Sequence, residues 1–86
     1  MKQILFMVRN CWTCESVKNW LEQTNTLQYV ECQWVYNRDG RMTQKAAAFD
    51  VYDGPTLVAL KDGEVFARHL GARSITPGIV KRYHEA

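Results

Sequence analysis

The hydrophobic spacing of the sequence changes abruptly near its N-terminal end. Residues 4–8 are continuously apolar, which is typical of a strand buried on both faces in the centre of a sheet. From Cys11 onward the apolar residues are spaced by three and four, as on one face of a helix: Cys14, Val17, Trp20 and Leu21. We therefore predict a strand over residues 2–8 and then a helix from Cys11 to Thr24 or Asn25. A strand followed this closely by a helix indicates an α/β fold.

The next segments predict an edge strand and a short helix. Residues 29–36 alternate in polarity, and the predicted drier face carries Val30, Cys32, Trp34 and Tyr36. On this pattern we expect Cys32, Trp34 and also Trp20 to be core residues. The run Asn37-Arg38-Asp39-Gly40 is a turn signal, and residues 43–49 form a short helix around three alanines.

The last third of the chain predicts a hairpin and a helix. Residues 57–61 and 64–69 are strands joined by Asp62-Gly63, a strong signal for a tight primed turn. Ser74 or Thr76 then caps a final helix, with Pro77 in its first turn and three residues facing inward: Ile79, Val80 and Tyr83.

The predicted element order is βαβαββα. The first βαβ unit requires a right-handed crossover, so its two strands pair in parallel, and the hairpin completes a mixed four-stranded sheet flanked by helices. At 86 residues, the chain is predicted to form one domain over residues 1–86.

Composition excludes several classes of protein. Hydrophobic residues at 47% and charged residues at 23% are ordinary globular values. The formal charge is +2 and the longest basic cluster is Lys81-Arg82, so we expect no nucleic-acid partner. The apolar run at residues 4–8 is too short for a membrane helix or a signal-peptide core. We therefore expect a cytoplasmic protein without a membrane partner, and a monomer.

Two of the three cysteines form the motif Cys11-Trp12-Thr13-Cys14 at the predicted helix start. An odd number of cysteines without a secretory leader argues against a structural disulfide framework. In the cap position, Cys11 would accept hydrogen bonds from helix amides and feel the positive end of the helix dipole, which favours the thiolate. Cys14 would be shielded on the core-facing stripe. A helical separation of three residues also permits a reversible disulfide.

The same motif is compatible with a metal site or with a non-catalytic interaction domain. A closed zinc site needs four ligands, and only Cys32, His69 and His84 could join the pair. No second CxxC supplies the usual spacing, so we predict a redox dithiol and no metal ligand. An iron-sulfur module in which Cys11 ligates a cluster shared between two chains is the alternative.

Nearly all of the chain resembles the thioredoxin superfamily. The apolar strand followed by Cys11-Trp12-Thr13-Cys14 looks like the active-site strand and helix start of that superfamily. The run from Phe49 through Gly54-Pro55-Thr56 to the hairpin and Gly71-Ala72 looks like the segment from the thioredoxin cis-proline onward. Without an extra N-terminal strand and helix, the size is similar to glutaredoxins and to small redoxins that reduce ribonucleotide reductase. The resemblance implies a minimal thioredoxin fold.

The resemblance also implies roles for individual residues. Cys11 would be the catalytic nucleophile, Cys14 the resolving thiol, and Pro55 a cis-proline that faces them. The backbone at Gly54 and Pro55 would pair with an extended segment of the substrate. We expect Trp12, which should be partly exposed, and Thr13 to contact the substrate as well.

The implied activity is reduction of protein disulfides, with no bound cofactor. An external reductant would restore the dithiol, either a flavin thioredoxin reductase with NADPH or glutathione, and ribonucleotide reductase is a possible electron acceptor. The sequence departs from the family at two places. Leu5 lies where thioredoxins typically hold a buried carboxylate, and residues 71–74 replace the pattern with which glutaredoxins hold glutathione.

Overall fold

The computed structural model describes all 86 residues and has the predicted element order. Two 3-10 turns, Leu27–Tyr29 and Ala72–Ser74, lie between the main elements. None of the helices has the length and hydrophobicity to cross a lipid bilayer. The strands and helices, in chain order, are β1 (Lys2–Met7), α1 (Trp12–Gln23), β2 (Glu31–Trp34), α2 (Gln44–Ala48), β3 (Thr56–Lys61), β4 (Glu64–Leu70) and α3 (Pro77–Glu85).

The four strands form one mixed sheet in the order β2-β1-β3-β4. β1 pairs in parallel with β2 and antiparallel with β3, and β3 pairs antiparallel with β4. The parallel first βαβ unit, the central position of β1 and the edge position of β2 are therefore confirmed. Leu5 shows the register, because it lies opposite Cys32 on one side and Leu57 on the other.

Both faces of β1 are covered, which explains its uninterrupted apolar run. On one face Leu5 and Met7 pack with α1 and α3 in a cluster with Cys14, Val17, Leu21, Leu57, Ile75 and Val80. On the other face Ile4 and Phe6 pack with Val35, Ala46, Val51, Val58 and Leu60. Alternate residues of one strand thus belong to two separate cores.

Local signals set the ends of the later elements. Asp62 and Gly63 have φ angles of 53° and 82°, which is the geometry of a primed turn with both central residues in the left-handed region. Thr76 caps α3, since its Oγ1 accepts a hydrogen bond of 3.2 Å from the amide of Ile79. Ser74 lies in the preceding 3-10 turn and donates to the Leu70 carbonyl instead.

The prediction for residues 29–36 is wrong in extent and in its drier face. The strand covers Glu31–Trp34 only, and the buried residue that follows it is Val35. Cys32 is exposed and Trp34 is 38% exposed, so neither is a core residue. β2 lies at the sheet edge, and none of its four residues is buried. Trp20 is also not core, being 46% exposed. It lies about 100° around α1 from Leu21, on the flank of the buried stripe.

Replacement of Phe6 tests the importance of β1 for stability. Phe6 is fully buried and its ring meets Phe49 at a centroid distance of 6.4 Å. We expect Phe6→Ala to lower the free energy of unfolding by about 3–5 kcal/mol, because the cavity cannot refill in a two-sided core. Val65→Ala, at a residue 41% exposed, should change it by no more than about 0.5 kcal/mol. Urea denaturation measures both, and equal losses would contradict the assignment of β1 as the central core strand.

Candidate active site

Cys11 is the N-cap of α1. Its φ and ψ angles of −120° and 104° are extended, and its carbonyl accepts the first helical hydrogen bond, from the amide of Glu15 at 3.1 Å. Its Sγ accepts a hydrogen bond of 3.3 Å from the amide of Cys14. The sulfur thus takes the place of the side-chain oxygen that usually satisfies a free amide at a helix start. The predicted cap position of Cys11 is what the structure shows.

The surroundings of Cys11 favour its ionised form. Partial burial acts to raise the pKa of Cys11, but hydrogen bonds from the Cys14 thiol, the Thr13 hydroxyl and the amides of both residues outweigh it. The Thr13 Oγ1 lies 3.2 Å from the Cys11 Sγ. The result is a pKa below the ordinary value for cysteine. A lowered pKa makes Cys11 the stronger candidate for a nucleophile near neutral pH.

Cys14 lies one helical turn deeper and has the opposite character. Its side chain is 1% exposed and belongs to the core between α1 and the sheet. Burial raises the pKa of Cys14 to about 11, and its hydrogen bond to Cys11 and the charges of Cys11 and Asp53 act in the same direction. The amide of Val8 donates to the Cys14 Sγ at 3.5 Å, which opposes the rise only in part. The first turn of α1, with its N-cap, therefore holds two thiols of unlike acidity.

The segment Asp53–Pro55 faces the Cys11 sulfur. The Gly54–Pro55 peptide bond is cis, as the resemblance implied, and the Gly54 carbonyl oxygen lies 3.9 Å from the Cys11 Sγ. A Cβ on Gly54 would lie 3.1 Å from the carbonyl oxygen of Phe6 and 3.2 Å from the Met7 Cα. The backbone at the end of β1 thus leaves little room for a side chain at residue 54, a constraint that sequence patterns do not reveal.

Exposed apolar side chains come from three parts of the chain near this segment. Trp12 follows Cys11 and is 79% exposed, as expected for a residue between the two cysteines. Tyr52, 62% exposed, comes just before Asp53, and Leu70, 67% exposed, comes just before Gly71, whose amide donates to the Pro55 carbonyl at 2.9 Å. The sequence analysis missed Tyr52 and Leu70. Their only sequence signal is a large apolar residue beside a glycine-containing turn.

The three residues considered as additional metal ligands lie apart from the dithiol. His69 Nε2 is 2.7 Å from the Tyr83 hydroxyl, and His84 stacks on Tyr29 at a centroid distance of 3.7 Å. Cys32 is exposed on the edge strand. No three His, Cys, Asp or Glu side chains come close enough together to bind one metal ion.

Comparison with solved structures identifies the fold. The thioredoxin of Fasciola hepatica matches with a TM-score of 0.65 and 24% sequence identity, covering 96% of this chain and 76% of its own. The thioredoxin of Malassezia sympodialis matches with a TM-score of 0.64 and 20% identity, covering 96% of this chain and 70% of its own. Neither the protein-family models nor the curated proteins include a sequence match. The chain has a thioredoxin fold, and the predicted fold class is confirmed.

Thr13→Val tests the hydrogen bond that favours ionisation of Cys11. Valine has nearly the same shape but cannot donate to the sulfur, so the pKa of Cys11 should rise. We expect its alkylation by iodoacetamide at pH 7 to slow roughly three- to tenfold, because a hydrogen bond to a charged group is worth about 1.5–3 kcal/mol and the higher nucleophilicity of a more basic thiolate offsets about half of that. Thr24→Val, at the far end of α1, is the control and should leave the rate unchanged. Equal rates in all three proteins would show that the Thr13 hydroxyl does not stabilise the thiolate.

Proposed function

We propose that this protein is a thiol-disulfide oxidoreductase that reduces disulfides of other proteins through Cys11 and Cys14. The observation that carries the proposal is the pair of sulfurs on one helical turn, with a pKa below the ordinary value at Cys11 and of about 11 at Cys14. At one pH, such a pair supplies an ionised thiolate that attacks the substrate disulfide and a protonated thiol that resolves the mixed disulfide afterwards. The thioredoxin fold supports the proposal, because the matched solved structures are thioredoxins.

The proposed reaction has two exchange steps. The Cys11 thiolate attacks one sulfur of the substrate disulfide, a mixed disulfide forms, and the other substrate sulfur leaves as a thiolate that takes up a proton. Cys14 then loses its proton and attacks the Cys11 Sγ. The Cys11–Cys14 disulfide forms, the bond to the substrate breaks, and the second substrate thiolate leaves. Two electrons pass from the dithiol to the substrate.

The properties of Cys14 suit the second step. The hydrogen bond to Cys11 and the negative charge of its thiolate both help to raise the pKa of Cys14. Formation of the mixed disulfide removes that charge, so the pKa of Cys14 falls at the stage when its thiolate is needed. Cys14 therefore stays protonated before the first step and becomes easier to ionise after it.

The surface around Cys11 supports a protein substrate. Trp12, Tyr52 and Leu70 present large apolar side chains to solvent, which fits contact with a partner surface. Gly54 has no side chain beyond its backbone, so an extended substrate segment could approach and pair with the backbone before Pro55. In this proposal Trp12, Thr13, Gly54 and Pro55 bind the substrate.

An external reductant must return two electrons to the disulfide after each turnover. We propose either a flavin thioredoxin reductase using NADPH or glutathione for this step, and ribonucleotide reductase as an acceptor of the electrons. No cofactor is needed in the protein itself. A reducing compartment such as the cytoplasm would suit the exposed thiol of Cys32.

Reduction of insulin disulfides is the direct test. The pure protein is assayed with thioredoxin reductase and NADPH, and separately with glutathione, glutathione reductase and NADPH. We expect NADPH consumption that depends on this protein with one of the two systems. Absence of turnover with both would contradict the proposed function. A coloured protein, with visible absorption from a cluster, would support the iron-sulfur alternative instead.

Single cysteine variants separate the two proposed roles. Cys11→Ser should abolish insulin reduction, because serine is not ionised at neutral pH. Cys14→Ser should also lose dithiol turnover but should accumulate a mixed disulfide with the substrate, visible by mass spectrometry under non-reducing conditions. Cys32→Ser is the matched control and should keep the wild-type rate. Trapping by Cys11→Ser, rather than by Cys14→Ser, would reverse the assignment.

A further inference from the structure

Tyr36, just beyond the end of β2, is hydrogen-bonded to both loops of the candidate site. Its carbonyl oxygen accepts a hydrogen bond of 2.8 Å from Arg9 Nη1, in the loop that leads to Cys11. Its hydroxyl donates a hydrogen bond of 2.6 Å to the carbonyl oxygen of Tyr52, in the loop that leads to Pro55. One residue therefore connects the loop that contains Arg9 with the loop that contains Tyr52.

Arg9 is held on its other side as well. Its guanidinium carbon lies 4.3 Å from the centre of the Trp34 ring, a cation–π contact. The Trp34 ring and the Tyr36 carbonyl thus contact the same guanidinium. The end of β2 thus contacts the loop before Cys11, a contact that the prediction of Trp34 as a core residue did not include.

The hydrogen bonds of Tyr36 connect two loops that lack the repeated backbone hydrogen bonds of helices and strands. Residues 8–11 and 49–55 lie outside the helices and strands, and Asn10 and Asp50 have φ angles of 57° and 54°. Tyr52 and Asp53 are exposed between the buried Val51 and Pro55, so apolar burial holds the ends of this segment but not Tyr52 and Asp53 themselves. Loops with few buried contacts open more readily than the elements that they connect.

We propose that Tyr36 is a positioning residue that holds the Tyr52–Gly54 backbone at a fixed distance from the Cys11 sulfur. This inference rests on the proposed function. A protein substrate must pair with that backbone while its disulfide lies in line with Cys11, so a loosened loop must be ordered at each binding event. A small disulfide reagent needs only the sulfur. Tyr36 therefore favours protein disulfides over small ones.

Tyr36→Phe removes the hydroxyl and keeps the ring and the backbone carbonyl. We expect kcat/KM for insulin to fall roughly three- to tenfold, mainly through a higher KM, as for the loss of one neutral hydrogen bond. The rate with 5,5′-dithiobis(2-nitrobenzoate) and the alkylation rate of Cys11 should not change. Tyr29→Phe, which removes a hydroxyl beyond the opposite end of α1, is the matched control and should behave like the wild type.

Arg9→Lys tests the other hydrogen bond while it keeps the positive charge. Lysine lacks the planar fork that reaches the Tyr36 carbonyl from the Trp34 ring, so insulin reduction should weaken in the same direction. If Arg9 acts through Tyr36, the double variant should lose less than the product of the two single losses. If the loss in the double variant equals the product of the two single losses, Arg9 and Tyr36 act independently. That result would overturn the inference that Arg9 acts through Tyr36.

The outcomes distinguish this inference from the proposed function. If the wild-type protein does not reduce insulin, the proposed function fails and the inference fails with it. If the wild type is active and Tyr36→Phe keeps the wild-type ratio of insulin to small-disulfide rates, only the positioning role is overturned. An equal fall with both substrates, together with a lower unfolding temperature, would also overturn it, because that pattern indicates a purely structural role.

Discussion

Burial of β1 on both faces is the constraint on which the rest of the molecule depends. Leu5 and Met7 enter one core and Ile4 and Phe6 enter the other, so the strand is fixed from both sides. The C-terminal end of β1 then sets where α1 can begin and how closely residue 54 can approach the backbone of Phe6 and Met7. The position of the dithiol is therefore a consequence of the packing of a strand that carries none of the chemistry itself.

The two cysteines at the start of α1 lie one helical turn apart and differ in acidity. The first sulfur lies at the helix start, where free amides and the Thr13 hydroxyl stabilise a negative charge. The second lies among apolar side chains, where desolvation disfavours a charge. The difference needs no acidic or basic side chain in the helix. It follows from the distance of each sulfur from solvent and from the helix end, and it supports opposite roles in an exchange reaction.

The loops around the dithiol are held by backbone packing and by polar contacts outside the two cores. The backbone at the end of β1 packs closely against residue 54, and hydrogen bonds of Tyr36, just beyond the edge strand, hold the chain on either side of the site. Trp34 and Tyr36 thus lie at a sheet edge without being core residues. Trp34 is partly exposed and contacts Arg9, and the half-buried Tyr36 is hydrogen-bonded to both loops.

The sequence alone determined the element order, the central strand, the Asp62-Gly63 turn and the placement of Cys11 and Cys14, because each of these depends on side-chain periods or turn chemistry within a few residues. It could not determine which face of β2 is covered, because that depends on how far the helices extend over an edge strand. Nor could it show that Tyr52 and Leu70 would lie near Pro55, or that Tyr36 would bond to both loops. Those contacts join residues far apart in the chain, and only the packed tertiary structure brings their atoms within hydrogen-bonding distance.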